Sequence, residues 1–162
     1  MRLAVFSDAH RNLVRMESTL AELEDIDYLV YAGDGLNMVL ESGIASDFEL
    51  LAVQGNCDHL PQYPRERVID LGEQRILLTH GKRYRIKLGL DNLYYKAQEI
   101  EADIVIFGHT HCRYAREEEG VLFFNPGSIS QPKDSKGPSY GLLEIDGPRV
   151  DYEHVSYPNS EN

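Results

Sequence analysis

The pattern of apolar and polar positions along the chain predicts an α/β protein. Apolar runs of strand length alternate with segments in which apolar residues recur at helical spacing. Early in the chain the order strand, helix, strand, helix, strand implies right-handed crossovers and a largely parallel sheet. The predicted strands cover residues 1–6, 28–31, 48–53, 67–71, 75–79, 103–107, 113–116, 121–124, 140–145 and 150–155, and the predicted helices cover residues 13–23, 36–44 and 93–100.

The pattern changes after residue 111. Short strands separated by glycine or proline follow one another without helices, which favours an antiparallel meander. Two sheets packed face to face, with the helices outside, would bury both halves of the chain. We therefore expect one domain over residues 1–156 and a C-terminal tail over residues 157–162.

Two of the predicted helices follow side chains that are typical of N-caps. Asn12 precedes the first helix, and Asp91 or Asn92 opens the third. A side-chain oxygen at such a position can accept a hydrogen bond from a free backbone N–H of the first turn. We expect these residues to cap their helices.

Composition and charge narrow the function. The chain has 162 residues, is 42% hydrophobic, and carries a formal net charge of −11. That charge argues against general binding to nucleic acid, which needs a basic face, but a small phosphate ester could still bind at a local cationic site. Two cysteines and the absence of a signal-peptide pattern or a bilayer-length apolar run predict a cytoplasmic protein without membrane contact.

Residues with metal-binding side chains follow five of the predicted strands. In an open α/β sheet, ligands collect in the crevice at the carboxyl ends of the strands. The chemistry at these ends is a mixture of carboxylate, amide and imidazole groups, and we interpret it as one shared site. Its members are Asp8 and His10 after the first strand, Asp34 after the second, Asn56 after the third, His80 after the fifth, and His109 and His111 after the sixth.

This donor set predicts a centre of two metal ions. Seven oxygen and nitrogen ligands without thiolates suit Mn²⁺, Fe²⁺, Zn²⁺ or Ni²⁺ better than Ca²⁺, and they are too many for one tetrahedral ion. They fit two ions about 3.5–4 Å apart that share a carboxylate. A hydroxide between the ions would then be the nucleophile, because metal binding lowers the pKa of water from about 15.7 towards neutrality.

Each residue taken alone also has a structural interpretation. Asp8 or Asp34 alone is as typical of a helix cap as of a metal ligand. Asn56 alone is typical of a turn, and His80 alone is typical of a hydrogen-bonded surface histidine. Only the joint pattern favours a shared site. The other two histidines, His59 and His154, have no such support.

The order of the short motifs is informative. Five motifs follow one another along the chain: Asp-Ala-His at residues 8–10, Gly-Asp at 33–34, Gly-Asn at 55–56, His80, and Gly-His-Thr-His at 108–111. A sixth, Asn-Pro-Gly-Ser at 125–128, extends the series. Together they resemble the motifs of the calcineurin-like metallophosphoesterases, and the Gly-Asn-Cys-Asp form of the third resembles the small bacterial and archaeal phosphodiesterase branch. The resemblance implies a two-sheet αββα sandwich.

The resemblance also implies roles for the residues that match. Asp34, Asn56 and His80 would be catalytic, and Mn²⁺ is the first candidate among ions that include Ni²⁺, Fe²⁺, Zn²⁺ and Mg²⁺. The implied ligand sets are Asp8, His10 and His111 for one ion and Asn56, His80 and His109 for the other, with Asp34 as the bridge.

Two positions depart from the family pattern, and we predict that both contact substrate. Arg11 stands where relatives often have glycine, and its guanidinium could pair with a phosphate, although an exposed arginine at a helix start is an equally good interpretation. Cys57 stands where larger relatives have a histidine that assists the substrate or leaving group. A free cysteine packed under the site is the alternative there.

The leading prediction for function is a dinuclear metal-dependent phosphodiesterase that acts on a small phosphate ester or nucleotide. A phosphomonoesterase and a dinucleoside polyphosphate hydrolase are alternatives within the same chemistry. A third alternative is a scaffold protein, because some relatives with this fold are subunits of trafficking coats. A homo-oligomer is compatible with the sequence.

Overall fold

Ten strands and three α-helices occur in the part of the chain that the computed structural model describes, residues 1–157. Two single turns of 3₁₀-helix join the fifth strand to the third helix. In chain order the elements are β1 (Arg2–Phe6), α1 (Val14–Glu22), β2 (Tyr28–Tyr31), α2 (Leu36–Ser42), β3 (Glu49–Ala52), β4 (Glu66–Leu71), β5 (Gln74–Thr79), the 3₁₀ turns Lys82–Tyr84 and Ile86–Leu88, α3 (Asp91–Glu99), β6 (Ile104–Ile106), β7 (Arg113–Glu118), β8 (Val121–Pro126), β9 (Ser139–Asp146) and β10 (Arg149–Ser156).

The strands form two five-stranded sheets. The first has the order β10-β9-β1-β2-β3, and the second has the order β4-β5-β6-β8-β7. Strands β1, β2 and β3 are parallel in the first sheet, as are β5, β6 and β8 in the second. Antiparallel strands lie at one edge of the first sheet and at both edges of the second, so the predicted parallel arrangement is confirmed in the first sheet and extends to the second.

Alternating side chains connect the layers. On β1, Leu3 and Val5 belong to the apolar cluster between the sheets, whereas Phe6 packs with Met16 and Leu20 of α1 on the outer side. On the second sheet a third apolar cluster covers β6 and includes residues of α3. A strand that is buried on both faces needs a layer on each side. The αββα sandwich predicted from the sequence is therefore confirmed.

The predicted meander in the second half is wrong. β8 pairs in parallel with β6 in the second sheet, while β9 crosses to the first sheet and pairs antiparallel with β1. Each strand has its own hairpin partner, β7 for β8 and β10 for β9. The apolar run of β8 is buried throughout, as is most of β9, so each occupies an interior position of its sheet.

The predicted N-caps are confirmed only in part. The cap position of α1 is Leu13 and that of α3 is Leu90, and neither makes a side-chain cap hydrogen bond. Asn12 lies one residue before the cap position, but its side chain accepts from the N–H of Val14, the first residue of α1, at 3.2 Å as predicted. Asn92 instead donates to the carbonyl oxygen of Tyr84 at 3.3 Å, so the predicted cap of α3 is wrong.

The end of the described chain is attached to α1. Tyr157, the first residue of the predicted tail, donates its hydroxyl to the carbonyl oxygen of Arg15 at 2.7 Å. Its N–H donates to the carbonyl oxygen of Pro138 at 2.9 Å. The rest of the predicted tail, residues 158–162, lies outside the described residues. Within residues 1–157, no helix has both the length and the apolarity needed to span a bilayer.

Phe124 of β8 connects the two sheets. It is fully buried, and its ring stacks on His154 of the first sheet with centroids 4.6 Å apart. Gly141 of β9 faces the same ring, and a Cβ at that glycine would overlap it. Phe124 therefore occupies the space that the missing side chain of Gly141 leaves between the sheets.

We expect Phe124→Ala to lower the free energy of unfolding by about 3–5 kcal/mol, because it removes a buried ring and leaves a cavity. Leu88→Ala is the control, since Leu88 is 78% exposed and its truncation should change stability by less than about 0.5 kcal/mol. Urea denaturation measures both. Equal losses in the two variants would show that Phe124 does not connect the sheets in this way.

Candidate metal centre

The structure brings the predicted ligands together at one end of the sandwich. Strands of both sheets contribute, because the loops after β1, β2 and β3 meet the loops after β5 and β6. Backbone hydrogen bonds join these loops, from the N–H of Asp8 to the oxygen of Gly33 at 3.0 Å and from Gly108 to His80 at 3.2 Å. Among residues 1–157, three groups have ligand atoms within 4.8 Å of one another: Asp8, His10 and His111; Asp8, Asp34 and His80; and His10, Asp34 and Cys57.

Asp8 lies at the centre of the site and is fully buried. Its Oδ2 accepts from the hydroxyl of Ser7 at 2.7 Å and from the N–H of His109 at 3.0 Å. Its Oδ1 lies 3.2 Å from Nε2 of His111 and 4.0 Å from Nε2 of His80. One carboxylate oxygen is thus held by hydrogen bonds, and the other faces two imidazoles.

The hydrogen bonds of the two buried histidines determine which ring nitrogen carries the proton. Nδ1 of His80 lies 2.7 Å from the carbonyl oxygen of Ala32, and Nδ1 of His111 lies 2.7 Å from that of Gln131. A carbonyl oxygen can only accept, so each Nδ1 must donate. In a neutral ring Nε2 then carries a lone pair, and in both residues Nε2 faces the site.

Three lone-pair atoms of the site lack a hydrogen bond. Among the described residues these buried atoms are Asp8 Oδ1, Asn56 Oδ1 and His80 Nε2. Nε2 of His80 lies 3.2 Å from Oδ2 of Asp34, but the geometry is not that of a hydrogen bond. Leaving such an atom unpaired costs about 1–3 kcal/mol. A divalent cation would satisfy all three, so the residues present fit a metal centre.

The ionisation of the site is set by opposing effects. Burial alone would raise the pKa of Asp34, but the facing His80 and the N–H of Cys57 outweigh it and hold that pKa well below its usual range. For His80, burial lowers the pKa, but the carboxylates of Asp34 and Asp8 outweigh it and raise the pKa. Asp8 likewise raises the pKa of His111. The Asp34 carboxylate therefore stays charged and attracts cations or protons.

His109 is the exception among the histidines. Burial, followed by the positive charges of His80 and Lys87, lowers its pKa to about 4. Its ring meets that of His80 edge to face, with centroids 5.0 Å apart. His109 is therefore neutral at physiological pH, as a metal ligand must be.

The backbone around the site adopts conformations that ordinary residues avoid. Nine described residues other than glycine have positive φ, and five of them are predicted ligands. Such conformations persist only where surrounding contacts impose them, and they are enriched at functional sites. The five ligands concerned are Asp8, His10, Asp34, His109 and His111, with φ between 50° and 66°.

Two glycines are required by close approach to carboxylates. A Cβ at Gly55 would overlap the carboxylate of Asp34, and a Cβ at Gly108 would overlap Ser7 and approach Oδ2 of Asp8 to 2.8 Å. The Gly-Asn and Gly-His motifs therefore need glycine because the aspartates leave no room for a Cβ.

Asp58 organises the site, although the sequence assigned it no role. Its carboxylate is 2% exposed and accepts four backbone hydrogen bonds of 2.8–3.0 Å. The donors lie on both sides of the site: three at the start of α2 (Asp34, Gly35 and Leu36) and one in the loop after β3 (Gly55). The only sequence signal for this role was the acidic residue that ends Gly-Asn-Cys-Asp.

Serine and asparagine side chains hold the remaining loops. Ser128 and Ser130 donate to the carbonyl oxygen of Asp8 at 2.8 and 3.1 Å. The buried Asn125 donates to the carbonyl oxygen of Gly108 at 2.8 Å. The Asn-Pro-Gly-Ser loop thus fixes the loops that carry Asp8 and His109 without facing the site itself.

The two predicted substrate residues lie beside the ligands. Arg11 and Cys57 are exposed and line a cavity of about 420 Å³ that also contacts His10 and His59. The N–H of Cys57 donates to Oδ1 of Asp34 at 2.8 Å. Burial and the Asp34 carboxylate raise the pKa of the Cys57 thiol, which therefore stays protonated.

The last histidine lies outside the site. Nε2 of His154 is 2.7 Å from the carbonyl oxygen of Asn125, and its ring stacks on Phe124. Its role is in packing, in keeping with the lack of support for it in the sequence.

Comparison with known proteins points to the same chemistry. The family model of the calcineurin-like phosphoesterase superfamily domain matches residues 1–147. The phosphodiesterase YfcE of Escherichia coli K12 is 31% identical over 170 residues, which cover 90% of this chain and 89% of that protein.

Solved structures share the fold. A predicted phosphoesterase from Streptococcus pneumoniae TIGR4 superposes with a TM-score of 0.81 at 33% identity and covers 98% of this chain and 93% of its own. Vps29 from Entamoeba histolytica, in complex with Zn²⁺, has a TM-score of 0.74 at 25% identity and covers 96% of this chain and 99% of its own. The chain described here belongs to the calcineurin-like phosphoesterase superfamily.

Proposed function

We propose that this protein is a phosphodiesterase that uses two divalent metal ions, with Mn²⁺ as the first candidate. Membership of the superfamily supports a metal-dependent phosphoester hydrolase in general. The observation that carries the proposal is the set of three buried lone-pair atoms, on Asp8, Asn56 and His80, which have no hydrogen bond among the described residues. Bound there, two ions would neutralise phosphate charge and lower the pKa of a water.

We assign the ligands as two sets joined by one carboxylate. Asp8, His10 and His111 already form one compact group. The rings of His80 and His109 are neighbours, and Oδ1 of Asn56, in the loop after β3, is buried without a hydrogen bond. The first ion would be held by Asp8, His10 and His111, and the second by Asn56, His80 and His109.

Asp34 is the better bridge of the two buried aspartates. Asp8 and Asp34 both share a compact group with His80, so proximity alone does not separate them. Oδ2 of Asp8 already receives two hydrogen bonds, which leaves Oδ1 as its free ligand atom. The carboxylate of Asp34 accepts one hydrogen bond, from the N–H of Cys57 to Oδ1. Its Oδ2 faces Nε2 of His80 and accepts none from the described residues. Asp34 therefore has more capacity to bind two cations.

The surroundings support a diester rather than a monoester. The cavity of about 420 Å³ beside His10 gives room for an ester substituent next to the centre. At its wall, the Arg11 guanidinium is exposed and available to a phosphate oxygen. The protonated Cys57 thiol is a weak donor, so we assign it contact with substrate rather than proton transfer. The relative named as a phosphodiesterase points the same way.

Measuring turnover of a phosphoester, rather than metal content, distinguishes an enzyme from a scaffold protein. The Vps29 structure contains Zn²⁺, so metal binding by this fold does not by itself identify a phosphodiesterase. In the present chain the predicted ligand set is complete. Location in the cytoplasm and the oligomeric state remain expectations from the sequence.

Metal analysis and hydrolysis test the proposal directly. We expect two ions per chain, loss of bis(4-nitrophenyl) phosphate hydrolysis in chelator, restoration by Mn²⁺, and slower hydrolysis of the monoester 4-nitrophenyl phosphate. Asp34→Asn is the matched inactive variant, because it keeps the shape and removes the bridging charge. Full activity with one ion or none would refute the dinuclear centre, and faster monoester hydrolysis would favour a phosphomonoesterase.

Asp58→Asn should weaken metal binding by about 10–100-fold, the range for residues that orient ligands. The amide nitrogen cannot accept, so some of the four N–H groups that hold the Asp34 and Asn56 loops lose their partner. Asp103→Asn is the matched control: Asp103 accepts from the N–H of Arg75 at 2.7 Å, just before β6 and away from the ligands. Calorimetric titration with Mn²⁺ should separate the variants, and equal affinities would contradict the role of Asp58.

Metal affinity should fall on the acid side. The raised pKa values of His80 and His111 mean that protons occupy these rings up to a higher pH than in an ordinary histidine. An ion must displace those protons, so its apparent affinity should fall roughly tenfold per pH unit for each one displaced. Calorimetry in buffers of different ionisation enthalpy counts the protons. A dissociation constant that stays unchanged from about pH 8 to about pH 5.5 would contradict this.

A further inference from the structure

One segment of this acidic protein is strongly basic. The whole chain has 27 acidic residues against 16 lysines and arginines. Between Gln74 and Leu90, however, the sequence contains five cationic residues and neither aspartate nor glutamate. Four of the five fall within residues 82–87, which we call the basic loop: Lys82, Arg83, Arg85 and Lys87.

The basic loop has a defined conformation. Its backbone forms two 3₁₀ turns, with hydrogen bonds from Tyr84 to Gly81 at 3.0 Å and from Leu88 to Arg85 at 2.8 Å. Ile86 is 5% exposed and anchors the loop in the apolar cluster beneath α3. All four cationic side chains of the loop are exposed. The fold thus holds these charges in one place at the surface.

The basic loop begins two residues after His80 and borders the metal centre. Lys82 and Arg83, together with Arg65, line a narrow recess that Asn56 and His80 also line. The recess has a volume of about 30 Å³, which holds one water but no phosphate. An anion attracted by these side chains would therefore lie at the mouth of the recess, beside the centre rather than within it.

The recess fixes which side of the centre the basic loop borders. Asn56 comes from the loop after β3 and His80 from the end of β5, and both line the recess together with Lys82 and Arg83. The loop therefore lies along the side of the centre where Asn56 and His80 would hold an ion.

Most of these charges have no acidic partner. Arg83 makes the one ion pair of the basic loop within residues 1–157, with Glu66 at 3.3 Å. Like charges held together repel one another, and each such pair destabilises the fold slightly. The net charge of −11 also repels anionic substrates from the molecule as a whole. A local cluster of cations beside the site reverses the field there and attracts anions.

We propose that the basic loop binds a second phosphate group of the substrate, so that the enzyme prefers esters that carry a phosphate in addition to the one it cleaves. The inference rests on the proposed phosphodiesterase function and specifies its substrate class. Lysine ammonium groups bind phosphate as point charges, without the fixed geometry that arginine requires. The loop therefore suits a phosphate on a flexible arm of the substrate, displaced from the cleaved bond.

A matched pair of diesters tests the preference. Thymidine 5′-(4-nitrophenyl phosphate) and its 3′-phosphorylated form have the same leaving group and differ only in the second phosphate. At low ionic strength we expect kcat/KM to be about tenfold higher for the phosphorylated ester, through KM rather than kcat. The ratio should approach one near 1 M salt, where the screening length is about 3 Å.

Variants of the basic loop identify the residues responsible. The double variant Lys82→Ala/Lys87→Ala should bring the ratio close to one, and Lys82→Arg/Lys87→Arg should retain it. Arg149→Ala is the control. Arg149 lies beside the last residue of β9, near Arg2 at the start of β1, whereas the metal centre lies beyond the end of β1. This variant should leave the ratio unchanged. A wild-type ratio of one, or an unchanged ratio in the double alanine variant, would overturn the inference while leaving the diesterase function intact.

Binding separates failure of the inference from failure of the function. If neither ester is hydrolysed with any metal, the proposed function fails, and calorimetry decides the inference. Thymidine 3′,5′-bisphosphate should then bind the Mn²⁺-loaded protein about tenfold more tightly than thymidine 5′-phosphate at low salt. The double alanine variant should lose that difference. Equal affinities of the wild type for the two nucleotides would overturn the inference.

Discussion

The site depends on acceptor groups that face one another in a buried space, where a proton or a cation must lie between them. The lone pair of Nε2 in His80 is directed towards the carboxylate of Asp34, and Oδ1 of Asp8 faces two imidazoles. Carbonyl oxygens at the far side of the His80 and His111 rings prevent the rings from turning donors inwards while they stay neutral. Such an arrangement is unstable unless a proton or a metal ion lies between the acceptors. The sandwich supplies the rigid frame that keeps these groups in place.

The frame positions the ligands by fixing the backbone of the loops that carry them. Five ligands adopt left-handed conformations, which the surrounding contacts must impose. Asp58 ties the loop after β2 to the loop after β3 through four N–H groups, and Ser128 ties the loop after β1 to the Asn-Pro-Gly-Ser loop. Because the loops belong to different strands, a shift in one would move ligands of both proposed ions.

Charge is distributed in a way that suits a small anionic substrate. The acidic surface as a whole disfavours polyanions, while the proposed ions and the basic loop create local positive regions. Arg11 borders one side of the centre, and Lys82 borders another. The two sides face different structures, a cavity of about 420 Å³ in one case and the narrow recess in the other. A diester has two arms, so the two sides of the centre can be specific for different groups.

The sequence by itself determined the fold class and the candidate site. Apolar strands that end in Asp, Asn or His predict a sheet edge rich in ligands, because side-chain alternation and strand direction are local properties. It did not show that β9 leaves β8 for the first sheet, since both strands have similar apolar patterns and only packing decides their partners.

Only the tertiary structure showed the role of Asp58, whose four N–H partners come from two loops, and the position of the basic loop beside Asn56. These contacts join residues far apart in sequence, where no local pattern predicts which groups will meet.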